Sequence, residues 1–126
     1  MNKKIISTAN APAAIGLYSQ AVLAGDTLYC SGQIALDAVS GELIVGDIMA
    51  ETNQVLQNVG AVLAEAGMDF ANVVKCSIFM SSMEHYAAIN EVYATYFTEN
   101  PPAREAVAVK TLPKEVNVEI TVIAVR

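Results

Sequence analysis

Arginine is scarce in this chain of 126 residues, occurring only as Arg104 and Arg126. Arg104 follows Pro101-Pro102-Ala103 and opens an apolar run. A rigid proline approach would fix where its guanidinium points, which suits a planar fork gripping a carboxylate in two parallel hydrogen bonds. The plainer reading is a surface arginine paired with an acid such as Glu105. Glu119 is the second candidate. It sits in Val118-Glu119-Ile120-Thr121-Val122, where alternation groups it with Asn117 and Thr121 and suggests a solvent-facing side chain. The apolar character of 118–125 instead suggests that both strand faces are partly covered. A carboxylate there has a raised pKa and can handle protons near neutrality. Tyr18 and Ser31-Gly32-Gln33 complete the set. Gly32 either makes a turn or lets backbone approach a ligand closely.

Other chemistries lack residues. The single histidine, His85, reads as a surface or capping residue, and no GxSxG elbow accompanies it. With one histidine and two distant cysteines, a tetrahedral zinc site is not expected. No glycine-rich phosphate loop occurs, so no nucleotide cofactor is expected either. Cys30 and Cys76 form no CxxC motif and sit in apolar runs, reading as small buried hydrophobes that stay reduced.

Seven basic against 13 acidic residues give a net charge of −6. The basic residues are scattered, which disfavours nucleic acid as a partner. Apolar residues make up 54% of the chain and charged ones 16%, against a usual ~25% charged. That excess predicts one folded domain over 1–126 with apolar surface left for another copy, a homo-oligomer. The uncharged stretch between Lys4 and Asp26 is broken by Asn10, Pro12, Gly16, Ser19 and Gln20. It predicts neither a membrane span nor a signal peptide, and the expected location is cytoplasmic.

The elements that must position these residues can be read from their periods. Residues 20–25 and 27–32 flank Gly25-Asp26 as a hairpin, and 37–42 is a loop. Thr52, Val55, Leu56, Val59, Val62, Leu63 and Ala66 follow helical spacing, with Asp47 as N-cap and Gly67 at C′. Residues 73–81 read as a strand and 83–98 as a second helix, whose apolar stripe is Met83, Tyr86, Ile89, Tyr93 and Phe97. Pro101-Pro102 stop it. Strands 104–110 and 116–125 follow, with Leu112-Pro113 in the turn. This order predicts an α+β fold, one sheet with both helices on one face and the other face bare in a monomer.

Taken together, several short segments resemble the Rid family, the YjgF-like reactive intermediate (imine/enamine) deaminases. They are Ala14-Ile15-Gly16-Leu17-Tyr18-Ser19-Gln20, Ser31-Gly32-Gln33-Ile34, Val73-Val74-Lys75, Asn90-Glu91-Val92-Tyr93, Pro102-Ala103-Arg104, Leu112-Pro113-Lys114, Val118-Glu119-Ile120 and Ile123-Ala124. Each is weak alone, but their order and spacing cover nearly the whole chain.

The resemblance implies a chorismate-mutase-like α+β fold assembled as a homotrimer, with ligand sites in clefts between subunits. It implies hydrolysis of 2-imino acids or their enamine tautomers, such as 2-iminobutyrate and 2-aminoacrylate, to 2-oxo acids and ammonia, without metal or cofactor. In those terms Arg104 binds the substrate carboxylate and Glu119 holds or activates the attacking water. Tyr18 joins them at the catalytic centre and Ser31 lines the cleft. Backbone around Gly32 and Ala106 holds the substrate, and Asn90 lies near the site.

The chain departs from the family pattern at Glu105 and Ala106, where a small hydroxyl residue and cysteine often follow the arginine, at Thr121 in place of an acid, and at Leu17 in place of proline. Strand alternation should turn Glu105 away from Arg104. The rival reading is a non-catalytic trimer that binds small carboxylates or 2-oxo acids through the same arginine. A dicarboxylate mutase would want more cationic contacts, and RNA cleavage draws no support from the charge.

Overall fold

The computed structural model describes residues 2–126. Six strands form one sheet: β1 (Lys3–Ile6), β2 (Ala21–Ala24), β3 (Thr27–Cys30), β4 (Val73–Met80), β5 (Ala103–Ala108) and β6 (Val118–Val125). Their spatial order is β1-β2-β3-β6-β4-β5. Neighbours run antiparallel except β4 and β5, which are parallel and joined through a helix. The sheet is therefore mixed, and the two helices, α1 (Ile48–Glu65) and α2 (Tyr86–Tyr96), make the domain α+β, as the order of periods predicts.

The chain ends of α1 follow local chemistry. Asp47 is extended and its carboxylate accepts the N–H of Met49 at 2.9 Å. At the other end Gly67 has φ +73, its N–H donates to Ala64 and that of Met68 to Leu63. This is a Schellman closure, which needs the left-handed residue that glycine supplies. Val55, Leu56, Val59, Val62 and Leu63 are buried on the sheet-facing side. Truncating any of the leucines would cost about 2–5 kcal/mol.

Strand β6 shows which sheet face the helices cover. Val118, Ile120, Val122 and Ala124 are buried, whereas Glu119, Thr121 and Ile123 are only partly covered. The second face carries an apolar row across four strands, Ile5, Val22, Tyr29 and Ile123, in register. Ile5 and Tyr29 are each 51% exposed, so this face stands open in one chain.

Two differences from the sequence reading have physical causes. Strand β1 is not predicted, because only Ile6 of its four residues is buried and no alternation can show. Its exposed Lys3 and Lys4 suit a sheet edge, where charge discourages further pairing. The second helix begins later than expected, as a 3-10 turn at Met83–His85 capped by Ser82 precedes it. Met83 is 52% exposed and Tyr86 37%. They leave the core stripe that Ile89, Tyr93 and Phe97 keep. His85 ends that turn and its side chain makes no capping hydrogen bond; the cap is Ser82. No helix of the described residues is long and apolar enough to cross a membrane.

Candidate functional site

Glu119 stands on the open face, in a cleft of about 530 Å³ that is also lined by Tyr18, Ser31, Gly32, Pro113 and Lys114. A two-way backbone bridge between Gln33 and Ile120, at 2.9 and 3.1 Å, sets Gly32 beside it. A Cβ on Gly32 would lie 2.9 Å from the Glu119 carboxyl carbon. The absence of a Cβ at Gly32 thus permits the close approach of the carboxylate and does not serve a turn. Burial pushes the Glu119 carboxyl above its ordinary value, because desolvation disfavours the ionised form.

The loop bearing Tyr18 is tied down from beneath. Ser31 donates its hydroxyl to the Ser19 carbonyl at 2.6 Å, and its N–H reaches Gln20. Gln20, 3% exposed, donates to the carbonyls of Thr8 and Pro12 and accepts from the N–H of Thr8. Tyr18 itself is 55% exposed.

Arg104 lies elsewhere. Its guanidinium donates to Asn90 Oδ1 and to the Tyr86 hydroxyl, both at 2.8 Å. The guanidinium carbon stands 4.7 Å from the centre of the Tyr93 ring, within cation–π range. Residues 86, 90 and 93 are spaced i, i+4, i+7, so one face of α2 builds the whole cradle. Burial also pushes the Tyr93 hydroxyl upward, which keeps it a neutral phenol. All three partners are uncharged, and among the described residues no ion pair involves Arg104. Its positive charge and remaining N–H donors are free for an anion.

Glu105 takes the opposite side. It pairs with Lys75 at 2.7 Å and accepts from Ser77. The Lys75 and Ser77 hydrogen bonds hold its carboxyl below the usual range. It does not neutralise Arg104, as alternation predicts. Ala106 follows on the same side as Arg104, and β5 is an edge strand. Val109 N–H donates to Met80, so by alternation the N–H and C=O of Ala106 point to the free edge.

The structure therefore gathers the candidate residues into two groups. Tyr18, Ser31, Gly32 and Glu119 share the cleft on the open face. Arg104 and Asn90, with Ala106 close by in sequence, belong to the helix-covered side and the β5 edge. Cys30 and Cys76 are free and buried. Burial pushes their thiols up to about 12 and about 11, so neither is a nucleophile near neutral pH. Among the described residues no group of three or more His, Cys, Asp or Glu could hold a metal.

Sequence reasoning missed several supporting groups. Tyr86 and Tyr93 read as core stripe yet hold Arg104. Asn58, buried in α1, donates to the carbonyls of Ile34 and Leu36 and so fixes the strand exit beside the cleft. Glu51 is fully buried and accepts from the N–H groups of Asn117 and Val118. Glu51, Val55, Asn58 and Val62 fall at i, i+4, i+7, i+11, so polar residues inside an apolar helical stripe were the available signal.

Comparison with known proteins agrees along the full length. The family model described as Endoribonuclease L-PSP matches residues 8–126. A 2-iminobutanoate/2-iminopropanoate deaminase of Rattus norvegicus is 49% identical over 124 residues, covering 98% of this chain and 90% of that protein. A RutC family protein of Pyrococcus horikoshii is 48% identical, covering 97% of each. Among solved structures, a Rid-family protein of Yersinia pestis superposes with a TM-score of 0.95 at 44% identity, covering 99% of this chain and all of its own. E. coli TdcF with bound serine gives 0.94 at 40% identity over 98% of each chain. With this match over sequence and fold together, the chain belongs to the Rid family, whose family model bears the L-PSP description.

Proposed function

We propose that this protein hydrolyses 2-imino acids to 2-oxo acids and ammonia in sites built between copies of the chain, and that the assembly is a homotrimer. The observation that carries the reading is the Glu119 carboxylate, desolvated and seated against Gly32 in a cleft open to a small molecule. A site that only gripped an anion has no use for a proton-handling acid beside it. Relatives at 46–49% identity named 2-iminobutanoate/2-iminopropanoate deaminase support the substrate class.

The reaction is R–C(=NH)–COO⁻ + H₂O → R–C(=O)–COO⁻ + NH₃. Arg104 grips the carboxylate with the N–H donors that Asn90 and Tyr86 leave free. Backbone of Gly32 and of Ala106, on the free edge of β5, holds the rest of the substrate. Glu119 orients water toward the imine carbon and takes its proton as the C–O bond forms. The same proton then passes to nitrogen, giving the carbinolamine. Transfer of its hydroxyl proton to nitrogen through the same carboxylate breaks the C–N bond, and ammonia leaves as the carbonyl forms. Tyr18 and Ser31 close the cleft wall. A protonated imine is already electrophilic, so positioning supplies much of the effect. Proton handling by Glu119 adds about 10²–10⁴-fold.

The two groups of residues occupy opposite sides of the sheet in one chain, which favours a site completed by a neighbour. The open apolar row Ile5, Val22, Tyr29 and Ile123 offers the surface for that contact. The test generates 2-iminobutyrate and 2-aminoacrylate with a serine/threonine dehydratase and follows their loss. Wild type should accelerate it, Arg104→Ala should abolish the acceleration and Glu119→Ala should reduce it. A folded oligomer that binds 2-oxobutyrate but releases no ammonia would point instead to a carboxylate-binding module.

A further inference from the structure

We infer that Glu51 is a positioning residue for Glu119: from the helix side of the sheet, its carboxylate and Ser81 lock Asn117 so that β6 starts where Glu119 must meet Gly32. The inference rests on the reading of Glu119 as the water-handling group.

Glu51 Oε2 accepts the N–H of Asn117 at 2.7 Å and that of Val118 at 3.2 Å, while Oε1 accepts from the Asn117 amide at 3.1 Å. From the end of β4, Ser81 donates its N–H to the Asn117 carbonyl at 3.0 Å and its hydroxyl to Asn117 Oδ1 at 2.8 Å. Every polar group of Asn117 is thus engaged, two residues before Glu119. Glu51 itself is completely shielded from water. Its segment lies 66 residues away along the chain.

The turn entering this node is strained. Lys114 has φ +55 and Glu115 φ +56, left-handed conformations that cost energy in residues with a side chain. Such strain persists only where the surroundings over-determine it, and it gathers at working sites. Here Val116 is buried and Asn117 is clamped, which pins the turn from its far end. Pro113 and Lys114 of that turn form part of the cleft wall around Glu119. Releasing the clamp lets the turn relax, and wall and carboxylate move together.

The test compares wild type, Glu51→Gln and Ser81→Ala as folded oligomers. The Glu119 carboxyl is followed by ¹³C NMR titration, its signal assigned by its loss in Glu119→Gln. Imine hydrolysis is measured in parallel. Tyr18 and Lys114 are the other titratable groups in the cleft. Ser81→Ala leaves the Glu51 side chain intact, which separates displacement of Glu119 from a change at Glu51 itself. The expected result is a Glu119 titration shifted down toward the ordinary carboxylate range in both variants, as the loosened cleft admits water. The turnover number falls about tenfold in Glu51→Gln and less in Ser81→Ala, with KM held by Arg104. Either of two results overturns the inference: an unchanged Glu119 titration in both variants, or turnover and KM that stay at wild-type values. If Glu51→Gln does not fold, Ser81→Ala alone decides by the same criteria. The titration needs no turnover, so a wild type that hydrolyses no imine would remove the deaminase reading and leave this measurement intact.

Discussion

Arg104 and Glu119 lie on opposite faces of the same sheet, with β4 between their strands. Arg104 is in register with Cys76 and, through it, Val122, a buried row. Glu119 is in register with Phe79 on the other face. Within one chain the sheet stands between the two side chains, so a site that uses both, as proposed, would draw one group from each of two copies.

Subunit mixing tests this directly. Arg104→Ala and Glu119→Ala should each be inactive or impaired alone. After co-refolding at equal amounts, random assembly pairs an intact arginine with an intact glutamate at about a quarter of the interfaces. The mixture should therefore recover about a quarter of wild-type activity. No recovery, from oligomers shown by mass spectrometry to be mixed, would place both groups in one chain's site.

Glu119 should also set the pH dependence. Its carboxyl titrates above its ordinary value because of burial, so activity falls as pH drops through that raised value and the acid limb vanishes in Glu119→Gln. The stability effect has the opposite direction. The native state keeps this proton to higher pH than the unfolded chain, so ionisation costs stability as pH rises through the window. Thermal melts should show Glu119→Gln gaining on wild type as pH rises above the ordinary glutamate value of about 4.3, with no gain below it.

Adding a methyl group at Gly32 tests the close approach. Gly32→Ala has no positive φ to violate, and its Cβ meets only the flexible end of Glu119. The melting temperature should stay near wild type, while displacement of the carboxylate lowers the turnover number about 10- to 100-fold. Wild-type turnover in this variant would mean that the contact does not matter.

The arginine cradle should appear in KM. Tyr86→Phe deletes one hydrogen bond worth about 0.5–1.5 kcal/mol and should raise KM about two- to tenfold with little change in turnover. Arg104→Lys keeps the charge but loses the fork and the stacking on Tyr93, and should cost more. Steady-state kinetics on both variants would reveal an equal effect if only charge counted.

Glu105 serves as the control. Its carboxylate faces Lys75 and Ser77, so Glu105→Gln should leave KM within about twofold of wild type, since exposed pairs contribute little. A tenfold fall in KM would show that it does weaken the clamp.

Local chemistry made much of the fold legible. Asp47 and Gly67 mark both ends of α1, Gly25 marks the hairpin and Pro101-Pro102 close α2, because caps and turns depend on a few neighbouring residues. Alternation also placed Glu105 away from Arg104. Strand β1 was invisible, since four residues with one buried side chain carry no period.

The sequence by itself determined the family and the α+β order, and it singled out Arg104 and Glu119 as candidates. What only the tertiary structure decided is how they are related. Parity and strand order put them on opposite faces, α2 supplies three uncharged groups to Arg104, and Glu51 reaches across 66 residues to hold the start of β6. Caps and periods are written in adjacent side chains, whereas a cleft is made by strand pairings between distant segments.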